Sequence, residues 1–257
     1  MRPVPLPPAL LSLPLAHRAL HDRAAGRPEN SRAAVRAAVA AGYGIEVDVQ
    51  LSSDGQAIVF HDETLDRLTG EQGPLNARTA QALQAIRLRD AQDGIPTLPQ
   101  VLALVAGRVP LLIEVKDQTG TMGETDGRLE AATAAALAGY GGPVAVMSFN
   151  PHSVAHMARL APQIARGITT SAYDPADWHP LDPAICDRLR AIPDYDRTGA
   201  SFISHEAADL GRARVAELKA QGAAVLCWTI RSGEEEARAR QVAQNITFEG
   251  YAAARPA

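Results

Sequence analysis

The sequence predicts an α/β protein, a single TIM-type (β/α)8 barrel domain over residues 1–257, with a hairpin-like excursion after the second strand. Three observations carry this. Apolar strand-like stretches alternate with helical ones, the grammar of a parallel sheet. Nine strand-like pieces occur, about one more than such a barrel needs, and the surplus one follows the Asp54-Gly55 turn with no helix before it. Polar residues gather at the C-terminal ends of several strands, where the active face of such a barrel lies.

Taken in order, Leu11, Leu13 and Leu15 alternate into Ala16-His17-Arg18 and predict a first strand ending at His17-Arg18. Residues 19–28 read as a loop punctuated by Gly26 and Pro28. Asn30 or Ser31 caps the next helix, which is Ala-rich, carries Val35 and Val39 one turn apart, and stops at Gly42. The second strand alternates Ile45, Val47 and Val49 with Glu46, Asp48 and Gln50. Glu46 and Asp48 therefore project the same way, with α-carbons roughly 6–7 Å apart. Residues 57–60 form the short strand after the turn and deliver His61-Asp62. Residues 64–95 are polar and irregular, with one helix near 79–87. A helix follows at 97–105, closed by Gly107.

The strand at 111–116 puts Leu111, Ile113 and Val115 on one face and Leu112, Glu114 and Lys116 on the other. A charge there is costly without a partner or a metal. Further helices are read at 125–137, 151–160, 183–192, 206–221 and 232–243, and further strands at 144–149, 165–169, 200–204, 223–230 and 246–248. Trp228 stands near the end of the strand at 223–230.

Composition narrows the class. The chain is 46% hydrophobic and 21% charged, with net charge −4 and a pI near 6.0. With no basic run and only 4% aromatic residues, no nucleic-acid partner is expected. Cys186 and Cys227 fit no metal spacing and no disulfide framework, which suggests a reducing compartment. The N-terminal stretch is apolar but studded with prolines, so no signal peptide is read. No apolar run approaches the roughly 20 residues of a spanning helix. A cytoplasmic protein without stable membrane association is expected.

His17, Arg18, Glu46, Asp48, His61, Glu114, Lys116 and Trp228 all fall at strand ends. A strand with one polar face is usually an ordinary half-exposed strand. Its recurrence on two strands favours a site. Two carboxylates 4 Å apart repel by about 4 kcal/mol at an effective dielectric of 20. A hard divalent cation relieves that, and oxygen ligands favour Mg²⁺ or Ca²⁺. Two histidines can serve as general acid and base, and Arg18 with Lys116 can hold an anion. Metal, anion site and acid/base pair together suggest phosphoryl chemistry. No GxxxxGK[ST] loop occurs, which argues against a nucleoside triphosphate.

The segments HRA, RPENS, EVDVQLSSDGQAIVFHD, LIEVK, SFNP and CWTI, in this order from His17 to Thr229, resemble the glycerophosphodiester phosphodiesterase family. The ordered set is specific, although each piece alone is weak. The resemblance implies a TIM-type barrel, a divalent metal, and hydrolysis of a glycerophosphodiester to glycerol 3-phosphate and an alcohol. It assigns His17 and His61 as the acid/base pair and Glu46, Asp48 and Glu114 as metal ligands. Arg18 and Lys116 contact the phosphate, and Trp228 walls the alcohol side. Glu29 and Asn30 match its PEN turn, with Asn30 read mainly as helix-start architecture. Two departures stand out. Ala19 replaces the Gly of HRG, which would strain the loop if φ is positive there. The family's C-terminal I-x-T-D-x-P is not clear in NITFEGYA, where Phe248 stands in place of an acid.

Other readings remain open at this point. Lys116 at a strand end allows a Schiff-base or metal-dependent aldolase. A non-catalytic phosphoester-binding barrel is another. A lipid-cleaving relative of the same barrel group would need a membrane-binding element, and no basic amphipathic helix is evident. Small diesters are therefore expected as substrates, with residues 20–27 and 171–180 shaping the alcohol pocket. The alcohol, the metal, the nucleophile (water or the substrate's 2-hydroxyl) and the oligomeric state are left open. His152 and His156 lie one helical turn apart without a third ligand, His205 reads as rim or helix start, and Cys227 as a buried, inert thiol.

Overall fold

The computed structural model describes residues 3–255. Its strands are β1 (Leu15–Ala16), β2 (Gly44–Leu51), β3 (Ala57–Val59), β4 (Leu111–Val115), β5 (Val144–Ser148), β6 (Ala165–Thr170), β7 (Phe202–Glu206), β8 (Ala224–Ile230) and β9 (Asn245–Phe248). All but β3 form a closed, eight-stranded parallel barrel, because β1 pairs with both β2 and β9. The surplus strand β3 is antiparallel to the outer end of β2, with Val49 opposite Val59. The Asp54-Gly55 turn thus makes the expected hairpin, with Gly55 at φ 78°.

Alternation along each strand separates two environments. Ile45, Val47, Val49, Leu111, Ile113 and Val115 face outward into the core shared with the helices. Toward the axis, Leu15, Leu112, Ala145, Phe202 and Leu226 form an apolar plug, sealed below by Leu6 and Leu10. Gly167 belongs to this plug because a β-carbon there would collide with the Phe202 ring. Above it the inward positions turn polar, and the register places Asp48 directly beside Glu114. The barrel axis is therefore apolar at the bottom and acidic at the top, which fixes the height of the site.

Helix signals hold at most ends. Ser31 caps Arg32–Ala41, and Gly42 ends it in a left-handed turn. Thr97 and Gln100 form a capping box on Leu98–Val105. Two expectations fail. Leu11 and Leu13 do not extend the first strand: Ala9–Ser12 is a short helix whose Leu10 plugs the barrel floor, leaving β1 only two residues long. A helix, not a strand, covers an otherwise open floor, so tertiary burial overrode the local alternation. The helix expected from 206 starts at Ala213, because β7 runs on through Glu206 into a short turn of 3-10 helix. His205 is consequently a β7 residue. It is fully buried, bonded to Thr170 Oγ1 at 2.8 Å and near Asp209, a structural role and not a rim position.

The segment between β3 and Leu98–Val105 builds a small core of its own from Phe60, Leu65, Leu68, Leu75, Leu83 and Ile95. It is a packed excursion on the active rim, with Ala80–Ala85 as its helix.

Candidate active site

β2 supplies Glu46 and Asp48, and β4 supplies Glu114. Each is at least 94% buried, with relative exposures of 2%, 2% and 6%. One oxygen from each lies within 4.8 Å of the others. Burial raises Glu46 well above the usual carboxylate range, reinforced by the charges of Asp48 and Glu114 and opposed by the Arg18 backbone N–H. That N–H donates to Glu46 Oε2 at 2.8 Å. Burial also pushes on Asp48, but Lys116, His61, Arg18 and an Asn30 hydrogen bond overcome it and hold Asp48 low. Lys116 is lowered by burial and raised more strongly by Glu114 and Asp48, so it stays a cation. Its Nζ donates to Glu114 Oε1 at 2.8 Å and lies 3.5 Å from Asp48 Oδ1.

This donor set suits a hard divalent cation. Three buried carboxylates offer one oxygen each within 4.8 Å of the others, an all-oxygen set of the kind such a cation takes. Arg18 Nε points to an anion beside it. It is buried without a hydrogen-bond acceptor, 3.8 Å from Asp48 Oδ2, and is free to meet an anionic ligand.

Both histidines line the same cavity of about 190 Å³ as the three acids, Arg18, Lys116 and Trp228. Each rests on a carboxylate through Nδ1. His17 Nδ1 is 2.6 Å from Glu249 Oε2, and His61 Nδ1 is 2.8 Å from Asp62 Oδ1. The hydrogen bond from His17 and the nearby His21 ring hold Glu249 well below the usual carboxylate range, against burial and with help from Arg231. Asp62 is likewise held low by His61 and Arg67, against burial. Ionised carboxylates only accept, so both rings carry a proton on Nδ1, which leaves Nε2 to take or to give a second one.

The loop after β1 is strained where the sequence suggested it. Arg18 and Ala19 sit at φ 50° and 65°, so Ala occupies a position better suited to Gly. Asn30, at φ 57°, does more than start a helix, and Ser31 is the cap. Asn30 Nδ2 donates to Asp48 Oδ2 at 2.9 Å, and its Oδ1 accepts the Asp48 backbone N–H at 3.3 Å. Glu29 accepts Arg18 Nη1 at 2.7 Å.

Beside this cavity opens a cleft of about 670 Å³, lined by His61, Lys116, Met122, Phe149, Trp178 and Trp228. Phe149 stands 5.1 Å from Trp178 and 5.5 Å from Trp228, centroid to centroid. The 171–180 loop contributes Trp178 and Pro180 to it. Residues 20–27 line none of this cleft; the segments at 62–64 and 117–122 take that place. His21 instead turns toward Glu249, at 3.5 Å.

Sequence reasoning missed two polar residues here. Glu249 escaped because Phe248 was read at the acid position. β9 actually turns Thr247 toward the cavity and Phe248 into the outer core, and Glu249 follows on the site side. The alternation of Asn245, Thr247 and Glu249 was the available signal. Arg67 lay in a stretch read only as irregular.

Residues 17–245 match the model of the "Glycerophosphoryl diester phosphodiesterase family". A "Glycerophosphodiester phosphodiesterase" of Caldanaerobacter subterraneus subsp. tengcongensis is 30% identical over 159 residues, 59% of this chain. The chain spans 65% of that relative's length. YhdW of Bacillus subtilis is 27% identical over 233 residues, 87% of this chain and 88% of that protein. Among solved structures, a phosphodiesterase of Oleispira antarctica in complex with the product sn-glycerol-3-phosphate superposes with a TM-score of 0.74 at 25% identity. That match covers 92% of this chain and 93% of the other. A glycerophosphodiester phosphodiesterase of Thermotoga maritima has the same fold, with a TM-score of 0.67 at 19% identity over 91% of this chain and 92% of the other.

Proposed function

The chain belongs to the glycerophosphoryl diester phosphodiesterase family, and from that membership we propose that it hydrolyses glycerophosphodiesters to glycerol 3-phosphate and an alcohol. The reaction is divalent-metal dependent, with His17 and His61 as acid and base. One observation carries this reading: two imidazoles, each anchored at Nδ1 by a carboxylate, share a cavity with three convergent acids and two half-buried cations.

Glu46, Asp48 and Glu114 would hold Mg²⁺ or Ca²⁺. When bound, such a metal supplies positive charge to a phosphate oxygen. Arg18 and Lys116 hold the remaining anionic oxygens; Arg18 Nε brings an unsatisfied donor to that task. The Nε2 of one histidine takes the proton of the nucleophile as its oxygen bonds to phosphorus. The other, protonated on both ring nitrogens at that stage, donates its Nε2 proton to the alkoxide as the phosphorus–oxygen bond breaks. Water or the substrate's own 2-hydroxyl can be that nucleophile. Trp228, with Phe149 and Trp178, walls the alcohol side. The Oleispira antarctica protein holds sn-glycerol-3-phosphate as product, and we assign the same product here.

A Schiff-base role for Lys116 is disfavoured, because its Nζ donates to Glu114 at 2.8 Å and lies 3.5 Å from Asp48, turned to the acids and not to a carbonyl. We place the activity in the cytoplasm, on small diesters. Both cysteines are free and buried, and no described helix is long and apolar enough to cross a membrane.

The test is release of glycerol 3-phosphate from glycerophosphocholine and glycerophosphoethanolamine, after EDTA and after Mg²⁺ or Ca²⁺ is restored. Metal-dependent release that disappears in Glu46→Ala supports the reading. Full activity in EDTA would remove the metal from it, and no release with any metal would remove this substrate class.

A further inference from the structure

Arg67 lies on the packed excursion after β3, and its side chain is 47% exposed. Its guanidinium is committed to two carboxylates. Nε and Nη2 donate to Asp62 Oδ2 and Oδ1 at 2.7 and 2.8 Å. Nη1 and Nη2 donate to Glu29 Oε2 and Oε1, both at 2.8 Å. Each carboxylate also holds a second group. Asp62 Oδ1 takes His61 Nδ1 at 2.8 Å, and Glu29 Oε1 takes Arg18 Nη1 at 2.7 Å.

We propose that Arg67 is a positioning residue: it clamps Asp62 and Glu29 together, so that His61 and Arg18 hold one fixed mutual geometry. The proposal deepens the phosphodiesterase reading and rests on it for the roles of His61 and Arg18. The connection His61–Asp62–Arg67–Glu29–Arg18 then joins an acid/base group to a phosphate-holding group through side chains alone.

Three features separate this from an ordinary surface ion pair, which contributes little to stability. First, both contacts are two-pronged, and only a planar guanidinium can present two such edges. Second, the backbone beneath is fixed. Leu65 and Leu68 are 0% and 2% exposed in the excursion's core, and the Leu68 carbonyl accepts the Arg89 N–H at 2.7 Å. Third, both carboxylates are tuned. Burial pushes Glu29 up, but Arg67 and Arg18 bring it below its ordinary range, and Arg67 acts on Asp62 in the same direction. The excursion thus delivers one side chain to the back of two groups that line the cavity.

The experiment measures kcat and KM for glycerol 3-phosphate release from glycerophosphocholine in Arg67→Ala and Arg67→Lys, alone and combined with Asp62→Asn or Glu29→Gln. In parallel, ¹⁵N-histidine NMR follows the His17 and His61 rings without substrate. Loss of a group behind a site residue typically costs 10–100-fold, and roughly that loss in kcat is expected of both single variants. Each double variant should lose less than the product of its single losses. The Nδ1–H signal of His61 should shift or broaden while that of His17 stays in place. Multiplicative losses in both doubles, an unmoved His61 signal, or recovery in Arg67→Lys (which keeps the charge but not the fork) would overturn the clamp. If the wild-type protein releases no glycerol 3-phosphate, the phosphodiesterase reading falls, while the NMR comparison still decides for or against the clamp.

Discussion

His61 and His17 stand on carboxylates at opposite extremes of sequence distance. His61 leans on Asp62, its neighbour, at the end of a hairpin strand. His17 leans on Glu249, 232 residues away, across the seam where the barrel closes. The seam itself is short. β1 pairs with β9 only through Leu15–Thr247 and Ala16–Phe248, and the His17 N–H donates to the Phe248 carbonyl at 2.8 Å. The two supports are chemically alike and topologically unlike. A local support is present as soon as its hairpin forms. A remote one exists only after loop closure over nearly the whole chain, with its entropic cost.

The largest expected effect is a test of likeness. On the proposed roles, His17→Ala and His61→Ala should each lower kcat by roughly 10²–10⁴-fold, as for loss of a positioned acid or base. Circular dichroism should show an intact fold. A loss confined to one histidine would make the symmetry of their supports irrelevant to the chemistry.

The next effect is smaller and tests the difference. Asp62→Asn and Glu249→Gln each exchange an acceptor-only carboxylate for an amide that can turn an N–H toward the ring, and each should cost roughly 10–100-fold in kcat. Glu249→Gln carries a further consequence for stability. Glu249 is held below its ordinary range by His17 and His21, then by Arg231, against burial. The unfolded chain therefore binds a proton there more readily than the folded one. This stabilisation is full above the ordinary carboxylate pKa of about 4 and is lost as pH falls through the lower folded value. Acid denaturation followed by circular dichroism should accordingly be shallower below about pH 4 in Glu249→Gln. An unchanged acid profile would mean that the seam pairing contributes nothing to closing the barrel.

The same contrast explains what the sequence made legible. Glu46, Asp48 and Glu114 lie on two strands whose alternation can be read within six residues, and the register between β2 and β4 then brings them together. His61-Asp62 follows a strong turn signal, so it too was local. Glu249 required knowing that β9 presents Thr247 to the axis and Phe248 to the outer core, a fact set by pairing with β1 and by the contact of Phe248 with Tyr43 at 4.8 Å. Arg67 required knowing where an irregular segment packs. The error at Leu11 and Leu13 has a related cause: a four-residue helix leaves no periodic trace, and burial of Leu10 under the barrel decides its conformation. The barrel was legible from repetition, and the acidic half of the site from alternation. The supports behind the site were legible only where they were also neighbours in sequence.

The smallest expected effect concerns Ala19, at the hinge between His17 and the loop that carries His21. A non-Gly residue at φ 65° costs about 1–2 kcal/mol. Ala19→Gly removes that strain, but it also removes a methyl group buried to 1% exposure in the outer core, worth about 0.8 kcal/mol. The added freedom of a glycine in the unfolded chain costs roughly another 0.5–1 kcal/mol. These terms nearly cancel, so the thermal midpoint of Ala19→Gly should move by no more than that of a roughly 1 kcal/mol change, about 2–4 °C for a domain of this size. Ala19→Val keeps the positive φ and adds β-branching, which such a backbone tolerates poorly, and should lower the midpoint clearly. A stabilisation well beyond 4 °C in Ala19→Gly would show that the His17 side carries uncompensated strain. Near-neutrality would mean that the buried methyl offsets the missing glycine, leaving the two histidines distinguished by the distance to their carboxylates and not by strain beneath them.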